Sequence, residues 1–167
     1  TSAAVAGLTD SVNLSLTNVT GAGANVITIG GVETINVTSN DVTANTATLT
    51  AGAATTVNVN GTNAITLAGM AAATKIDGTS LSGALTATLA GAGSLIGGSG
   101  ADALTGSAAN DVLTGNAGSN TITAGTGSDT ITGGTDADRI IFATALDLTV
   151  ADSVNGGAGT NTLVLTS

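Results

Sequence analysis

The sequence predicts an all-β solenoid, a stack of short strands joined by tight turns. A nine-residue unit repeats five times in register between residues 97 and 141, and a short fixed period is typical of solenoids. Residues 1–96 contain no proline and consist of short runs rich in Val, Ile, Leu and Thr, which favours strands. Phe142 is the only aromatic residue, so a thin stack of aliphatic side chains is expected rather than a thick globular core.

The five units share small residues at the start, Asp or Asn at the sixth position and an aliphatic residue at the eighth. They read GGSGADALT (97–105), GSAANDVLT (106–114), GNAGSNTIT (115–123), AGTGSDTIT (124–132) and GGTDADRII (133–141). A strand of two or three residues can bury the aliphatic side chain of each unit. The glycines then let the chain turn at once, because they adopt positive φ angles without steric cost.

The turns of these units direct backbone carbonyls inward, and each adds one side-chain oxygen. Ca²⁺ takes roughly six to eight oxygen ligands, so one turn supplies too few and two stacked turns supply enough. The alternative is that Asp and Asn only shape the turns, since both bond readily to their own backbone; five units in register favour calcium. The predicted ligands of several calcium ions are Gly98, Gly100, Asp102, Ala109, Asp111, Gly118, Asn120, Gly127, Asp129, Asp136, Asp138 and Asn161.

The repeats resemble the calcium-binding nonapeptides of RTX proteins. This resemblance implies a right-handed parallel β-roll, or β-helix, in which two units complete one rung and calcium-binding Gly/Asp loops two units apart stack. It pairs Asp111 with Asp129, Asp102 with Asn120, and Asn120 with Asp138. Asn120 contributes no charge, so we predict weaker calcium binding at the two pairs that share it. Asp136, at a position usually held by Gly, adds a carboxylate that offsets this loss.

The chain divides into three predicted parts. Residues 1–96 form a strand-rich, solenoid-like region without clear calcium loops, for which a separate β-sandwich is the competing interpretation. Residues 97–141 form the nonapeptide β-roll. Residues 142–167 form a closing or capping segment with one further nonapeptide-like unit (156–164). This unit begins 23 residues after Gly133, which is more than the 18 residues of a two-unit rung. It is therefore not expected to be simply the next rung. Asp147 and Asp152 in this segment are either ligands of an additional ion or solvated loop residues.

Charge and composition exclude several functions. The net charge is −9 with only two basic residues, so neither nucleic-acid binding nor attraction to anionic lipid is expected. No apolar run approaches the ~20 residues of a membrane-spanning helix, so membrane insertion is not expected. The chain has no His, Cys or Tyr and one Lys, so no plausible base is seen to activate its Ser and Thr residues. Paired Asp carboxylates could serve in acid–base chemistry, but their spacing in Gly-rich loops favours metal ligation, and we expect no enzymatic activity. Stacked carboxylates repel one another without cations, so residues 97–141 are expected to be loose in chelator and to fold on calcium.

Two further segments, GVETINV (31–37) and KIDGTSLSG (75–83), precede the nonapeptides. Together with the nonapeptides that follow, they resemble the C-terminal region of bacterial RTX-type surface-layer (S-layer) proteins. That resemblance implies a secreted cell-surface structural protein, exported by type I secretion, whose subunits self-associate with calcium into a surface lattice or filament. A calcium bridge to an anionic cell-surface polysaccharide is left open as a second contact. The rival interpretation is the stalk or repeat region of a secreted RTX adhesin or exoenzyme.

Overall fold

The computed structural model describes residues 9–19, 26–40, 43–144 and 147–166, and its regular structure is all β-strand. Within these ranges there is no helix with the length and hydrophobicity needed to cross a membrane. The strands are β1 (Ser11–Leu16), β2 (Val26–Thr28), β3 (Thr34–Ser39), β4 (Asn45–Thr50), β5 (Thr56–Gly61), β6 (Ile65–Ala68), β7 (Lys75–Leu81), β8 (Leu85–Thr88), β9 (Ser94–Ile96), β10 (Ala103–Thr105), β11 (Val112–Asn116), β12 (Thr121–Thr123), β13 (Thr130–Gly134), β14 (Arg139–Phe142), β15 (Ser153–Gly157) and β16 (Thr162–Leu165).

Consecutive strands alternate between two parallel sheets. The odd-numbered strands form sheet A, in the order β1 to β15, and the even-numbered strands form sheet B, in the order β2 to β16. Each strand pairs in parallel with the strand two positions along the chain, for example β11 with β13 and β10 with β12. One strand of each sheet therefore makes one rung, and the chain winds as a β-solenoid. The predicted all-β solenoid is confirmed.

The core is a thin layer of aliphatic side chains between the two sheets. Inward and outward residues alternate along the strands, as in β3 and β4, because successive side chains point to opposite faces. All five eighth-position side chains of the nonapeptides are buried. In sheet A they continue a register column that begins in the upstream strands: Ile35, Val57, Ile76, Leu95, Leu113 and Ile131. The described strands before residue 97 thus lie in the same two sheets as the nonapeptides and do not form a separate β-sandwich.

The length of a rung varies along the chain. Asn36 pairs with Asn58, which lies 22 residues later. A rung of the nonapeptide roll is shorter and consists of two units, so that Val112 pairs with Thr130. After Phe142 the rung lengthens again, and Asn161 stacks on Asp138 across 23 residues. The extra residues of this rung are accommodated between β14 and β15.

The expectation that unit 156–164 is not simply the next rung is therefore wrong. Its strand, β16, pairs directly with β14 of unit 133–141. Residues 147–155 fill the intervening place, with Asp152 at the sixth position and Val154 at the eighth, and their strand β15 pairs with β13. The insertion lengthens one rung without breaking the stack, because β15 and β16 still pair in register with β13 and β14.

Candidate calcium sites in the stacked turns

The turns that precede the nonapeptide strands stack in two columns, because consecutive turns lead into different sheets. Column A contains the turns that lead into β11, β13 and β15, and column B contains those that lead into β10, β12, β14 and β16. The sixth-position residues of column A are Asp111, Asp129 and Asp152. Those of column B are Asp102, Asn120, Asp138 and Asn161.

Hydrogen bonds link the turns within each column. The Oδ1 atom of a sixth-position side chain accepts a hydrogen bond from the backbone N–H of the sixth-position residue one rung earlier. Asp111 N donates to Asp129 Oδ1 at 2.9 Å, and Asp102 N donates to Asn120 Oδ1 at 2.9 Å. Asn120 N likewise donates to Asp138 Oδ1 at 2.8 Å. The structure thus brings together all three pairs implied by the stacking of loops two units apart.

The ladder continues through the insertion into the last described rung. Asp129 N donates to Asp152 Oδ1 at 2.7 Å, and Asp138 N donates to Asn161 Oδ1 at 2.9 Å, both across 23 residues. Asp152 therefore serves as a sixth-position residue, a role that the sequence analysis missed. The signal was present in its spacing from Val154 and from the following Gly156, but the insertion had already broken the register.

The carboxylates of these columns are held away from water. Asp102, Asp111, Asp129 and Asp138 are each at most 2% exposed. Burial raises the pKa of Asp102, against the opposing effect of hydrogen bonds from the backbone of Leu85 and Gly98. Burial also raises the pKa of Asp129, where one backbone hydrogen bond opposes it and the charges of Asp111, Asp152 and Asp147 add to it. The ionised form of these groups needs a source of positive charge.

The aspartate turns are of two kinds, which differ in whether the second side-chain oxygen, Oδ2, accepts a hydrogen bond. Asp102 Oδ2 accepts from Gly98 N at 2.7 Å, and Asp111 Oδ2 accepts from Ser107 N at 2.6 Å. The Oδ2 atoms of Asp129 and Asp138 are buried and have no hydrogen-bond donor among the described residues. A buried carboxylate oxygen without a partner is costly, and a bound cation would remove that cost.

Backbone carbonyls border the same spaces as the carboxylates. A Cβ atom built on Gly106 would meet Ala124 O and would lie 3.0 Å from Asp111 Oδ2. One built on Gly133 would lie 2.5 Å from Asp138 Oδ2 and would also meet Gly156 O. Glycine at the first position therefore keeps open a space lined by a carboxylate and by a carbonyl of the next turn.

The remaining predicted ligands within the five units lie at the fourth position, except Gly98, which lies at the second. Gly100 O faces the Cβ position of Gly118, and Ala109 O lies 2.7 Å from the Cβ position of Gly127, so these residues stack pairwise in columns B and A respectively. The backbone N–H of Gly98 donates to Asp102 Oδ2 within the same turn, as described above. Asp136 is exposed and its Oδ2 accepts from Gly118 N at 3.0 Å, so its carboxylate reaches the turn one rung earlier.

Asp147 adds a carboxylate at the first position of the inserted rung. It is buried, and both its oxygens accept hydrogen bonds from Thr144, through N at 2.9 Å and Oγ1 at 2.6 Å. The part of the chain that the structure describes contains no group of three or more His, Cys, Asp or Glu side chains arranged to hold a metal. Ion sites in these turns therefore depend on backbone carbonyls together with the sixth-position carboxylates, which is a donor set that Ca²⁺ accepts.

Comparison with protein families decides what these turns are. The model of the RTX calcium-binding nonapeptide repeat matches four segments: 89–122, 96–131, 114–143 and 151–165. These segments are RTX calcium-binding nonapeptide repeats. The last match includes Asp152 and Asn161, in agreement with their places in the hydrogen-bond ladder. No curated protein and no solved structure matches the chain.

The RTX repeats bind several calcium ions, and the chain's own residues fit that role. The unpartnered Oδ2 atoms of Asp129 and Asp138 and the glycine-lined spaces beside carbonyls are what an oxygen-coordinated cation requires. RTX repeats are typical of secreted, extracellular proteins. The chain is thus a structural calcium-binding repeat module.

Proposed function

We propose that this chain is a structural, non-catalytic module of a secreted bacterial S-layer protein, in which calcium drives folding and lattice assembly. The observation that carries the proposal is the two columns of buried aspartates, each of which contains one aspartate with a side-chain oxygen that has no donor among the described residues. A module of this kind is unstable before export and becomes rigid where calcium is abundant. Extracellular calcium modules bind the ion at roughly 10⁻⁴–10⁻³ M.

Folding would be coupled to the ion through the sixth-position aspartates. Their Oδ1 atoms fix the register of adjacent rungs, and their Oδ2 atoms carry negative charge into a buried space. Bound calcium supplies the positive charge that offsets these carboxylates. Because the ions bind the stacked turns and not the unfolded chain, their binding energy becomes folding energy.

The last described rung supports self-association. Within the described chain, β15 and β16 have a strand neighbour on one side only. Their core-directed side chains Val154 and Leu163 are 38% and 49% exposed, in contrast to the buried equivalents in earlier rungs. Open strand edges with exposed aliphatic residues favour pairing with another chain. We propose that this edge contacts a second copy of the chain. Calcium could also bridge the chain to an anionic polysaccharide.

The test is to titrate calcium into chelator-treated protein while following far-UV circular dichroism and light scattering together. A cooperative gain of β signal with growing scattering would support folding coupled to assembly. A gain of β signal in a monodisperse monomer would contradict the lattice and favour a stalk or repeat region of a secreted adhesin or exoenzyme. No spectral change, with no calcium found in the untreated protein, would overturn calcium-driven folding altogether.

A further inference from the structure

We propose that Asn120 and Asn161 close their own turns with their side-chain amides, so that these two turns of column B hold no calcium ion. This inference departs from the prediction that both residues are ligands. It rests on the calcium-binding repeats and not on the lattice. The consequence is that the two columns of turns differ in the number of ions that they bind.

The hydrogen-bond ladder fixes the orientation of both amides. Asn120 Oδ1 accepts from Asp102 N at 2.9 Å, and Asn161 Oδ1 accepts from Asp138 N at 2.9 Å. Only the oxygen of the amide can accept a hydrogen bond from N–H, so the nitrogen must occupy the opposite position. That position is the one that Oδ2 occupies in an aspartate turn.

From that position, the amide nitrogens donate to carbonyls of their own turns. Asn120 Nδ2 donates to Gly118 O at 2.8 Å and to Ala117 O at 3.4 Å. Asn161 Nδ2 donates to Ala158 O at 3.2 Å and to Gly157 O at 3.3 Å. These carbonyl oxygens already accept hydrogen bonds from the amide N–H groups. A cation that approached them would also meet the positive end of the amide dipole, so its binding is opposed.

The aspartate turns lack this means of closing. A carboxylate at pH 7 has no hydrogen to donate, so it cannot bond to the carbonyls of its turn. The Oδ2 atoms of Asp102 and Asp111 accept from N–H groups of their own turns, but the buried Oδ2 atoms of Asp129 and Asp138 have no donor among the described residues. Replacing Asp by Asn keeps the Oδ1 ladder and exchanges an ion-requiring oxygen for a donor.

The same arrangement occurs upstream, outside the RTX repeats. Asn45 is buried, its Oδ1 accepts from Val19 N at 2.9 Å, and its Nδ2 donates to Ser39 Oγ at 2.8 Å. An asparagine thus links adjacent rungs and satisfies an acceptor of its own rung in a part of the chain that has no nonapeptide.

The experiment compares bound calcium per chain in the wild-type protein, Asn120→Asp, Asn120→Ala and the reverse exchange Asp129→Asn. Calcium is counted by atomic emission after gel filtration, and hydrogen exchange of residues 115–120 is followed with and without chelator. We expect Asn120→Asp to bind more calcium than the wild type. In chelator, residues 115–120 of this variant should lose their protection against hydrogen exchange. Asn120→Ala is expected to keep the wild-type calcium count while residues 115–120 become less protected, and Asp129→Asn is expected to bind less calcium.

A lower calcium count in Asn120→Ala would overturn the proposal, because it would make Asn120 a ligand. An unchanged count in Asn120→Asp would also overturn it. If the buried Asn120 variants fail to fold, the same exchange at the more exposed Asn161 gives the answer: Asn161→Asp is expected to gain calcium, and an unchanged count would contradict the proposal.

Discussion

At the scale of single residues, the two side-chain oxygens of a sixth-position aspartate have separate roles. In Asp129, Oδ1 accepts the backbone N–H of Asp111 and fixes the stacking of two rungs, whereas Oδ2 is buried without a donor. The first role needs only an acceptor, which Asn also provides. In Asp129 and Asp138 the second oxygen carries buried charge that no donor among the described residues offsets, so an ion can bind there, whereas an Asn would place an N–H donor at the same point.

The pairing of charges predicts which aspartate matters more for calcium. Asp111 stacks with Asp129, so both carboxylates are present, whereas Asp102 stacks with the uncharged Asn120. We expect Asp111→Ala to weaken calcium binding by about tenfold, or ~1.4 kcal/mol, and Asp102→Ala to weaken it less. Isothermal titration calorimetry of the two variants measures the difference. Equal losses would refute the pairing of loops two units apart as the basis of the sites.

The second-position glycine of a turn predicts a specific effect on stability. Gly125 has φ +97°, and a Cβ atom there would collide with Ser107 O of the rung before it. We expect Gly125→Ala to lower the free energy of unfolding in calcium by about 1–3 kcal/mol, because a left-handed conformation and a backbone contact both oppose the methyl group.

The matched control for this variant is Gly52→Ala. Gly52 has no atom within 4 Å of its Cβ position and no positive φ, so a change within about 0.5 kcal/mol is expected. Urea unfolding in saturating calcium measures both variants. Equal effects at Gly52 and Gly125 would show that the turn conformation is not the cause.

At the scale of elements, rungs of the same solenoid are stabilised in two ways. The upstream rungs bury the neutral polar side chains of Asn45 and Ser39 beside a core that includes Ile35, Val57 and Ile76, and the partly buried Glu33 accepts a hydrogen bond from Asp10 N. The nonapeptide rungs bury aspartates in the turns that precede their strands. In a stack of repeats each rung contacts mainly its neighbours, so the two parts can differ in stability.

Removal of calcium should therefore act on one part of the solenoid. We expect backbone amides of residues 97–141 to lose protection against hydrogen exchange in chelator, while those of β3 to β7 keep most of theirs, because only the former depend on paired carboxylates. Hydrogen-exchange mass spectrometry with and without calcium measures this. A uniform loss of protection along the chain would contradict it and would make the solenoid one ion-dependent unit.

Much of the roll could be predicted from sequence because its signals are local. Asp or Asn at the sixth position and an aliphatic residue at the eighth recur in every nonapeptide, and the observed stacking of Val112 on Thr130, two units later, follows from that period. The place of Asp152 was missed because the insertion after Phe142 shifts the period. The hydrogen bond from Val19 N to Asn45 could not be predicted, because upstream rungs vary in length and only the folded register brings these residues together.

At the scale of the whole molecule, the last described rung is where association is expected. Leu163 continues the core column of Ile122 and Ile140 but is 49% exposed, because no further rung covers it within the described chain. We expect Leu163→Lys to abolish calcium-dependent light scattering while the gain of β signal in circular dichroism is retained, since a charge placed there opposes stacking of a second copy. The control is Val150→Lys, a fully exposed loop residue whose change should leave both signals as in the wild type. Scattering that persists in Leu163→Lys would place the contact between copies elsewhere on the molecule.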